Sequence, residues 1–194
     1  MGSPNIAIAT LGSHTALQIL KGAKDEGLKT VLVCLKNRFS LYGRFKKLID
    51  EMILVNSFAE VASPEVQEKL LSLNAILIPH GSLVEYTDLE VIEKRFRVPI
   101  FGNKYILRWE ADRELKEKLL REAGARTPRT YSSIDEVDKL VIVKLPGAKG
   151  GKGYFIASKP SEIKSKIEKL GVSENQVFIQ EYILGATAYA HFFY

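Results

Sequence analysis

Short apolar runs that alternate with helical patterns occupy the first hundred residues, and they constrain the fold more than any other feature. The segments between the runs carry apolar residues at helical spacing, as in Ala16–Ala23. Strands that lack a polar alternation are buried on both faces, as in a parallel sheet covered by helices. We therefore predict a doubly wound, Rossmann-like α/β domain over residues 1–103. Its predicted strands are Ile6–Thr10, Val31–Leu35, Met52–Val55, Ala75–Ile78 and Val98–Gly102.

The pattern changes after residue 103. A charged helix is predicted over residues 104–124, and a second helix over Ser161–Leu170. The apolar runs of this half are joined by short polar loops, which is typical of an α+β unit on a partly antiparallel sheet. We predict a second domain over residues 104–194. Its predicted strands are Val141–Leu145, Tyr154–Ala157, Val177–Ile183 and Thr187–Tyr194.

The composition of the 194 residues is that of an ordinary globular protein, with 46% apolar and 26% charged residues. Cys34 is the only cysteine, which excludes an internal disulfide framework and a cysteine-rich zinc module. The net charge of +5 suits a protein that handles anionic small molecules. A signal peptide has a basic region before an apolar stretch, and the start of this sequence does not show that pattern. We therefore expect a cytoplasmic protein that does not span a membrane.

Two polar segments follow predicted strands of the first domain. Gly12-Ser13-His14 comes after the first strand, and Pro79-His80-Gly81-Ser82 comes after the fourth. Ligands of doubly wound sheets bind outside the carboxyl ends of the strands, where helix starts favour anions. Taken singly, each segment is explained equally well as a helix-capping turn. Gly12 lacks the further glycines of the dinucleotide fingerprint, which excludes an NAD site of that kind.

A glycine- and lysine-rich loop is the strongest chemical signal of the second half. Lys144 lies in an apolar strand, where a buried ammonium needs a partner. Glycines let a backbone approach phosphate oxygens closely and point its N–H groups at them. The loop lacks the Ser or Thr that ends a Walker A motif, so a solvated hairpin is the alternative to a phosphate cradle. Its candidate phosphate-binding residues are Lys149, Gly150, Gly151, Lys152 and Gly153.

The order of these features resembles that of the ATP-grasp ligases. In that superfamily a basic residue, here Arg113, precedes a lysine in a strand, here Lys144. A glycine-rich loop follows, and then a hinge strand whose backbone meets adenine. The resemblance implies that Arg113 and Lys144 hold phosphates of ATP, and that backbone groups of Glu181 and Ile183 read the adenine edge. The implied hinge residues are Gln180, Glu181, Tyr182 and Ile183.

Several segments narrow the resemblance to the archaeal PurP family, whose members formylate the purine intermediate AICAR with formate and ATP. The segments are Ala9–Thr15, Pro79–Ser82, Phe101–Asn103, Ile106–Glu110 and Lys144–Ala157. The resemblance implies an ADP-forming ligase of IMP biosynthesis that works through formyl phosphate. It also implies that His14 and Ser82 contact AICAR, with Gly12 and Ser13 beside them, and that the protein forms homo-oligomers.

The chain departs from the family in its length. Family members continue past the equivalent of Tyr194, and that part carries the acidic Mg²⁺ ligands. We therefore expect no metal ligands within this chain and a second domain that is incomplete at its C-terminus. Two alternatives to a formylating ligase remain: a truncated module that binds a nucleotide without turnover, and another ATP-grasp ligase that joins a carboxylate to an amine.

The stretch between Glu26 and Asp50 contains no acidic residue, and aromatic residues are interleaved with its cations. Three interpretations are open: a solvated face, a nucleic-acid surface on which bases stack, and a wall of a ribonucleotide phosphate site. We predict small-molecule substrates and no nucleic-acid or membrane partner. The basic residues of the stretch are Lys29, Lys36, Arg38, Arg44, Lys46 and Lys47.

Overall fold

The computed structural model describes residues 6–146, 153–186 and 188, and for Arg113 it describes the backbone alone. The chain divides into two compact units, residues 1–119 and residues 120–194. The domain boundary at residue 103 remains a prediction.

Unit 1 is built on a four-stranded parallel sheet. Its strands are β1 (Ala7–Leu11), β2 (Lys29–Leu35), β3 (Glu51–Val55) and β4 (Ala75–Leu77), in the order β3-β2-β1-β4. Alternate residues of β2 pack into separate cores, Val31 and Val33 on one face and Leu32 and Cys34 on the other. The predicted parallel sheet with two covered faces is thus present.

The fifth predicted strand, Val98–Gly102, does not form. This segment makes a single parallel bridge between Leu77 and Ile100. Pro99 has no N–H group and cannot donate to a ladder, although its carbonyl accepts a hydrogen bond from the Leu77 amide at 2.8 Å. The proline therefore limits the segment to a short contact along β4.

Seven helices are described in the first 122 residues. A glycine at positive φ follows the first of them, since Gly27 has φ 70°, as expected for a C-terminal cap. The third helix begins at Pro64, and the Ser63 hydroxyl accepts the Val66 amide as its N-terminal cap. The helices are α1 (Ala16–Asp25), α2 (Phe39–Tyr42), α3 (Pro64–Ser72), α4 (Gly81–Tyr86), α5 (Leu89–Arg95), α6 (Ile106–Ala111) and α7 (Arg113–Glu122).

The single charged helix predicted over residues 104–124 is instead two helices, α6 and α7. The break lies at Asp112, whose backbone is extended with φ −96° and ψ 125°. The Asp112 carboxylate accepts the amides of Glu114 and Leu115, each at 2.9 Å. Aspartate in this role favours a helix start over a helix interior, so the capping residue ends one helix and begins the next.

Unit 2 carries a four-stranded sheet with one helix, α8 (Pro160–Lys169), in its described part. Every pairing among its described strands is antiparallel, which agrees with the α+β unit expected from the sequence. The predicted strand Thr187–Tyr194 lies outside the described residues except for Ala188. The strands are β5 (Thr130–Tyr131), β6 (Val141–Lys144), β7 (Tyr154–Ala157) and β8 (Phe178–Glu181), in the order β5-β8-β6-β7.

A separate core stabilises unit 2. Val141 and Val143 of β6 are fully buried against Ile163 and Ile167 of α8, together with Ile179 of β8. Among the described residues, no helix combines the length and apolar character needed to cross a bilayer.

Candidate functional site

The loop after β1 passes under an aromatic ring, which explains its glycine. The Gly12 amide donates to the Val33 carbonyl at 2.7 Å. A Cβ atom at position 12 would lie 3.1 Å from Cε2 of Tyr42 and 3.3 Å from the Val33 carbonyl oxygen. A larger residue would therefore push the loop away from β2, and glycine holds the backbone close to the sheet edge.

A buried hydrogen bond joins the ends of the two neighbouring strands β1 and β4. The Oγ atoms of Ser13 and Ser82 lie 2.5 Å apart, and both residues are buried. The parallel pairing of β1 with β4 brings the two predicted segments together across 69 positions of sequence. Gly12, Ser13 and Ser82 thus form one cluster.

His80 ties the same two loops together and was not among the predicted site residues. Its Nε2 lies 3.1 Å from the Leu11 carbonyl oxygen, and its Nδ1 accepts the Ser82 amide at 3.3 Å. Because the amide must donate and the carbonyl must accept, the ring is neutral with its proton on Nε2. Burial lowers the pKa of His80, and nearby His14 lowers it further, against the opposing effect of the Leu11 carbonyl.

His14 is the exposed member of this cluster. Its ring centre lies 5.7 Å from that of His80, with the planes tilted by 47°. The half-buried His80 ring is held neutral, whereas His14 is exposed. The site therefore offers an exposed imidazole next in sequence to the buried Ser13–Ser82 pair, a combination suited to contacting a polar ligand.

Two residues of the basic stretch hold this loop from the side of β2. Arg38 donates from Nη1 to the Gly12 carbonyl at 2.9 Å, and the Tyr42 hydroxyl donates to the Ser13 carbonyl at 2.9 Å. Both follow β2, Arg38 in a short 3-10 turn and Tyr42 in α2. These two residues connect the basic stretch to the loop of the candidate site, a contact that depends on the pairing of β1 with β2.

In unit 2, Lys144 ends β6 beside residues of β8. Its Nζ donates to Oε1 of Gln180 at 3.1 Å and lies 5.3 Å from the centre of the Phe178 ring. Lys144 is half-buried, and the antiparallel register places it directly opposite Phe178. The predicted ATP residues Lys144 and Gln180 are therefore in contact.

The predicted hinge residues continue from β8. The Glu181 amide donates to the Arg129 carbonyl at 2.7 Å, and the Tyr182 amide donates to the Leu140 carbonyl at 2.9 Å. The Glu181 carboxylate accepts the Arg129 amide at 3.3 Å and lies 3.6 Å from the Lys139 ammonium. Ile183 is 60% exposed. The two amides hold the sheet, so an adenine contact from Glu181 would use its carbonyl oxygen.

The glycine-rich loop falls largely outside the described residues. This applies to Lys149, Gly150, Gly151 and Lys152, as it does to the side chain of Arg113. Gly153 is described, with φ 74°, and its carbonyl accepts the Leu145 amide at 2.8 Å. In the described part of the chain, no group of three His, Cys, Asp or Glu residues is arranged to hold a metal ion.

The chain is a mixed α/β protein of the ATP-grasp type. Its parallel-sheet unit is followed by an antiparallel α+β unit, in which Lys144 ends β6 and a glycine-rich sequence follows. The chain belongs to the family described as "Protein of unknown function (DUF1246)", whose model matches residues 8–131.

Curated relatives confirm the predicted resemblance to the PurP family. The chain is 51% identical over 189 residues to the 5-formaminoimidazole-4-carboxamide-1-(beta)-D-ribofuranosyl 5'-monophosphate synthetase of Ignicoccus hospitalis. That match covers 97% of this chain and 54% of the relative. The chain therefore spans about half the length of the curated relatives it matches.

Solved structures agree on the fold. An IMP biosynthesis protein PurP from Thermococcus kodakaraensis superposes with a TM-score of 0.64 at 27% identity, over 92% of this chain and 50% of that one. A biotin carboxylase domain from Hydrogenobacter thermophilus, crystallised as a dimer with MgADP, has a TM-score of 0.64 at 16% identity. That match covers 91% of this chain and 44% of that chain, and it supports the fold alone.

Proposed function

We propose that this chain is part of an ATP-dependent ligase of purine biosynthesis that formylates AICAR to FAICAR with formate. The observation that carries the proposal is the cluster of His14, Ser13 and Ser82 at the carboxyl ends of β1 and β4. The 51% identity to a synthetase named for the formylated ribonucleotide supports the same assignment.

In the proposed reaction, formate is activated by ATP before the amine attacks. An oxygen of formate attacks the γ-phosphorus and ADP leaves, which gives formyl phosphate. The AICAR amine then attacks the formyl carbon, phosphate leaves, and the amine loses a proton. Positioning and charge stabilisation dominate phosphoryl transfer, so a lysine and backbone amides are suitable groups. No general base is assigned among the described residues.

In this proposal Lys144 binds phosphate oxygens of ATP, and the hinge from Gln180 to Ile183 receives the adenine. The ammonium of Lys144 is already oriented by Gln180 and by the Phe178 ring. Arg113 and the loop residues Lys149 to Gly153 complete the proposed phosphate contacts. Magnesium would neutralise phosphate charge, but the described residues offer no set of oxygen ligands for it, so no step is routed through the ion.

His14, Ser82 and the Gly12-Ser13 turn contact AICAR in this proposal. Small molecules are the proposed partners, together with a second copy of the chain in a homo-oligomer. No nucleic acid or membrane is proposed as a partner. A cytoplasmic location fits the use of ATP and the buried free thiol of Cys34.

The contacts described for both candidate sites are suited to holding a ligand, and they are equally compatible with a second candidate, a module that binds a nucleotide without turnover. This candidate shares both binding sites with the ligase and differs from it only in the chemical step.

Calorimetry and a product assay on this chain test the proposals together. We expect separate binding of ATP and of AICAR, one site for each. Formation of FAICAR from ATP, formate and AICAR would establish the ligase, whereas binding without product would establish the module. Product with another carboxylate and none with formate would indicate a different ATP-grasp ligase. Absence of AICAR binding would contradict the assignment of His14 and Ser82.

A further inference from the structure

Arg38 is a charged residue that hydrogen-bonds the backbone of the candidate AICAR loop. One of its N–H groups donates to the Gly12 carbonyl at 2.9 Å, and its guanidinium carbon lies 5.7 Å from the centre of the buried Phe58 ring. An arginine has five N–H donors in a fixed fork. The contact with Gly12 therefore orients the group and leaves further donors on the same plane.

The charge of Arg38 is not neutralised by a carboxylate in the described residues. Its contacts there are the Gly12 carbonyl and the Phe58 ring. Its field acts on its neighbours: burial raises the pKa of the Cys34 thiol and of the Tyr42 hydroxyl, and Arg38 opposes the rise in both. A positive charge with these partners favours an anion beside it.

The loop geometry adds to this preference. Arg38 holds the Gly12 carbonyl and Tyr42 holds the Ser13 carbonyl, so the negative ends of both peptide dipoles are occupied by donors. In a trans peptide the N–H points away from the carbonyl, so the bond from Tyr42 also directs the His14 amide to the opposite side. An anion next to this loop would meet little repulsion from the backbone.

We propose that Arg38 is a specificity-determining residue that selects a phosphorylated ligand at the Gly12-Ser13-His14 loop. Guanidinium groups bind phosphate oxygens through paired, charge-assisted hydrogen bonds. The inference rests on the proposed function, because it names the residue that recognises the phosphate of the ribonucleotide substrate. Tyr42 is a positioning residue for the same loop and does not recognise phosphate.

The first test compares AICAR with its nucleoside, which lacks the phosphate. Arg38→Met removes the bond to the Gly12 carbonyl as well as the charge, so it should weaken AICAR about tenfold to a hundredfold more than it weakens the nucleoside, because a charge-assisted hydrogen bond contributes roughly 1.5–3 kcal/mol. Arg38→Lys keeps the charge and should retain part of the preference. Tyr42→Phe should weaken both ligands by the same factor. Arg44→Met, which removes the same charge from an exposed residue of the basic stretch, is the matched control.

Equal losses for AICAR and nucleoside in Arg38→Met would overturn the inference, and so would an equal effect of Arg44→Met. Urea unfolding of each variant separates a binding defect from a folding defect. If Arg38→Met does not fold, Arg38→Lys is the deciding variant. The assignment is overturned if Arg38→Lys leaves both the ratio of AICAR affinity to nucleoside affinity and the binding of phosphate unchanged.

The second test uses inorganic phosphate and needs no purine. Amide resonances of Gly12, Ser13 and His14 should shift on titration with phosphate in the parent chain, and the shift should be lost in Arg38→Met. If AICAR fails to bind but this shift depends on Arg38, the proposed function is wrong and the anion site stands. If the parent chain shows no shift, or Arg38→Met shows the same shift, the inference is wrong.

Discussion

The two candidate sites differ in how their side chains are held. In unit 1, His80, Arg38 and Tyr42 each donate to a different carbonyl of three consecutive residues, Leu11 to Ser13. In unit 2, Lys144 contacts a neutral amide oxygen and an aromatic face. The first site is therefore a network of hydrogen bonds, from two neutral side chains and one arginine, that fixes the backbone of the loop after β1. In the described part of the second site, the contacts are those of a charged side chain, so single substitutions should affect the two sites in different ways.

Removal of the ammonium should give the largest effect. We expect Lys144→Ala to weaken ATP binding about tenfold to a hundredfold, since a hydrogen bond to a charged group contributes roughly 1.5–3 kcal/mol. AICAR affinity should not change. Calorimetry with each ligand measures both. Lys164→Ala is the matched control, because Lys164 pairs with Asp135 on an exposed surface of the same unit. Equal loss of both ligands in Lys144→Ala would contradict the separation of the sites.

The serine pair should show its effect in stability. Ser82→Ala leaves the Ser13 hydroxyl buried without its partner, which costs roughly 1–3 kcal/mol in the free energy of unfolding. The double variant Ser13→Ala, Ser82→Ala removes both hydroxyls and should lose less than the sum of the single variants. Urea denaturation of all three measures the coupling. Strict additivity would mean that the 2.5 Å contact does not couple the two loops.

The exposed imidazole should show its effect in binding alone. We expect His14→Ala to weaken AICAR by about fivefold to tenfold, since a neutral hydrogen bond contributes roughly 1 kcal/mol. ATP affinity and the free energy of unfolding should change little because the ring is exposed. His14→Asn keeps a donor and an acceptor and should recover part of the affinity. A loss of ATP binding in His14→Ala would contradict the assignment.

The strands and helix ends of unit 1 were predictable where one local signal dominates. Continuous apolar runs predict β1 to β4, and Gly27 and Ser63 are the residue types expected at the helix ends where the structure has them. The errors arose where a single residue opposes the surrounding pattern: Pro99 lacks an N–H for a fifth strand, and Asp112 caps a new helix inside a charged one. Such a residue changes the outcome because one backbone hydrogen bond decides whether an element continues.

The candidate site of unit 1 was predictable only in part. Gly12, Ser13, His14 and Ser82 follow strands, and the rule for carboxyl ends of parallel strands selects them. The hydrogen bonds of Arg38 and Tyr42 depend on the pairing of β1 with β2, and a linear sequence does not state that register. His80 was not predicted as a site residue, because a helix-capping turn explained its segment equally well, and its Nδ1 does accept an amide at the start of α4.

The smallest expected effect is a pH dependence that belongs to unit 1. Burial lowers the pKa of His80 below 6.5, its ordinary value, so the unfolded chain binds a proton at a higher pH than the folded chain does. The stabilisation by neutral His80 is complete above about pH 7.5 and is lost progressively as the pH falls through 6.5 toward the lowered pKa.

His80→Asn retains an acceptor for the Ser82 amide but does not titrate. The free energy of unfolding of the parent chain should therefore fall more steeply between about pH 7.5 and pH 5 than that of His80→Asn. Carboxylates with lowered pKa values, such as Asp50, are present in both proteins and cancel in the comparison. Parallel pH profiles would mean that the His80 ring is not held neutral by its two hydrogen bonds. His80 would then not help to fix the loop backbone of unit 1, and the comparison with the site of unit 2 would lose that residue.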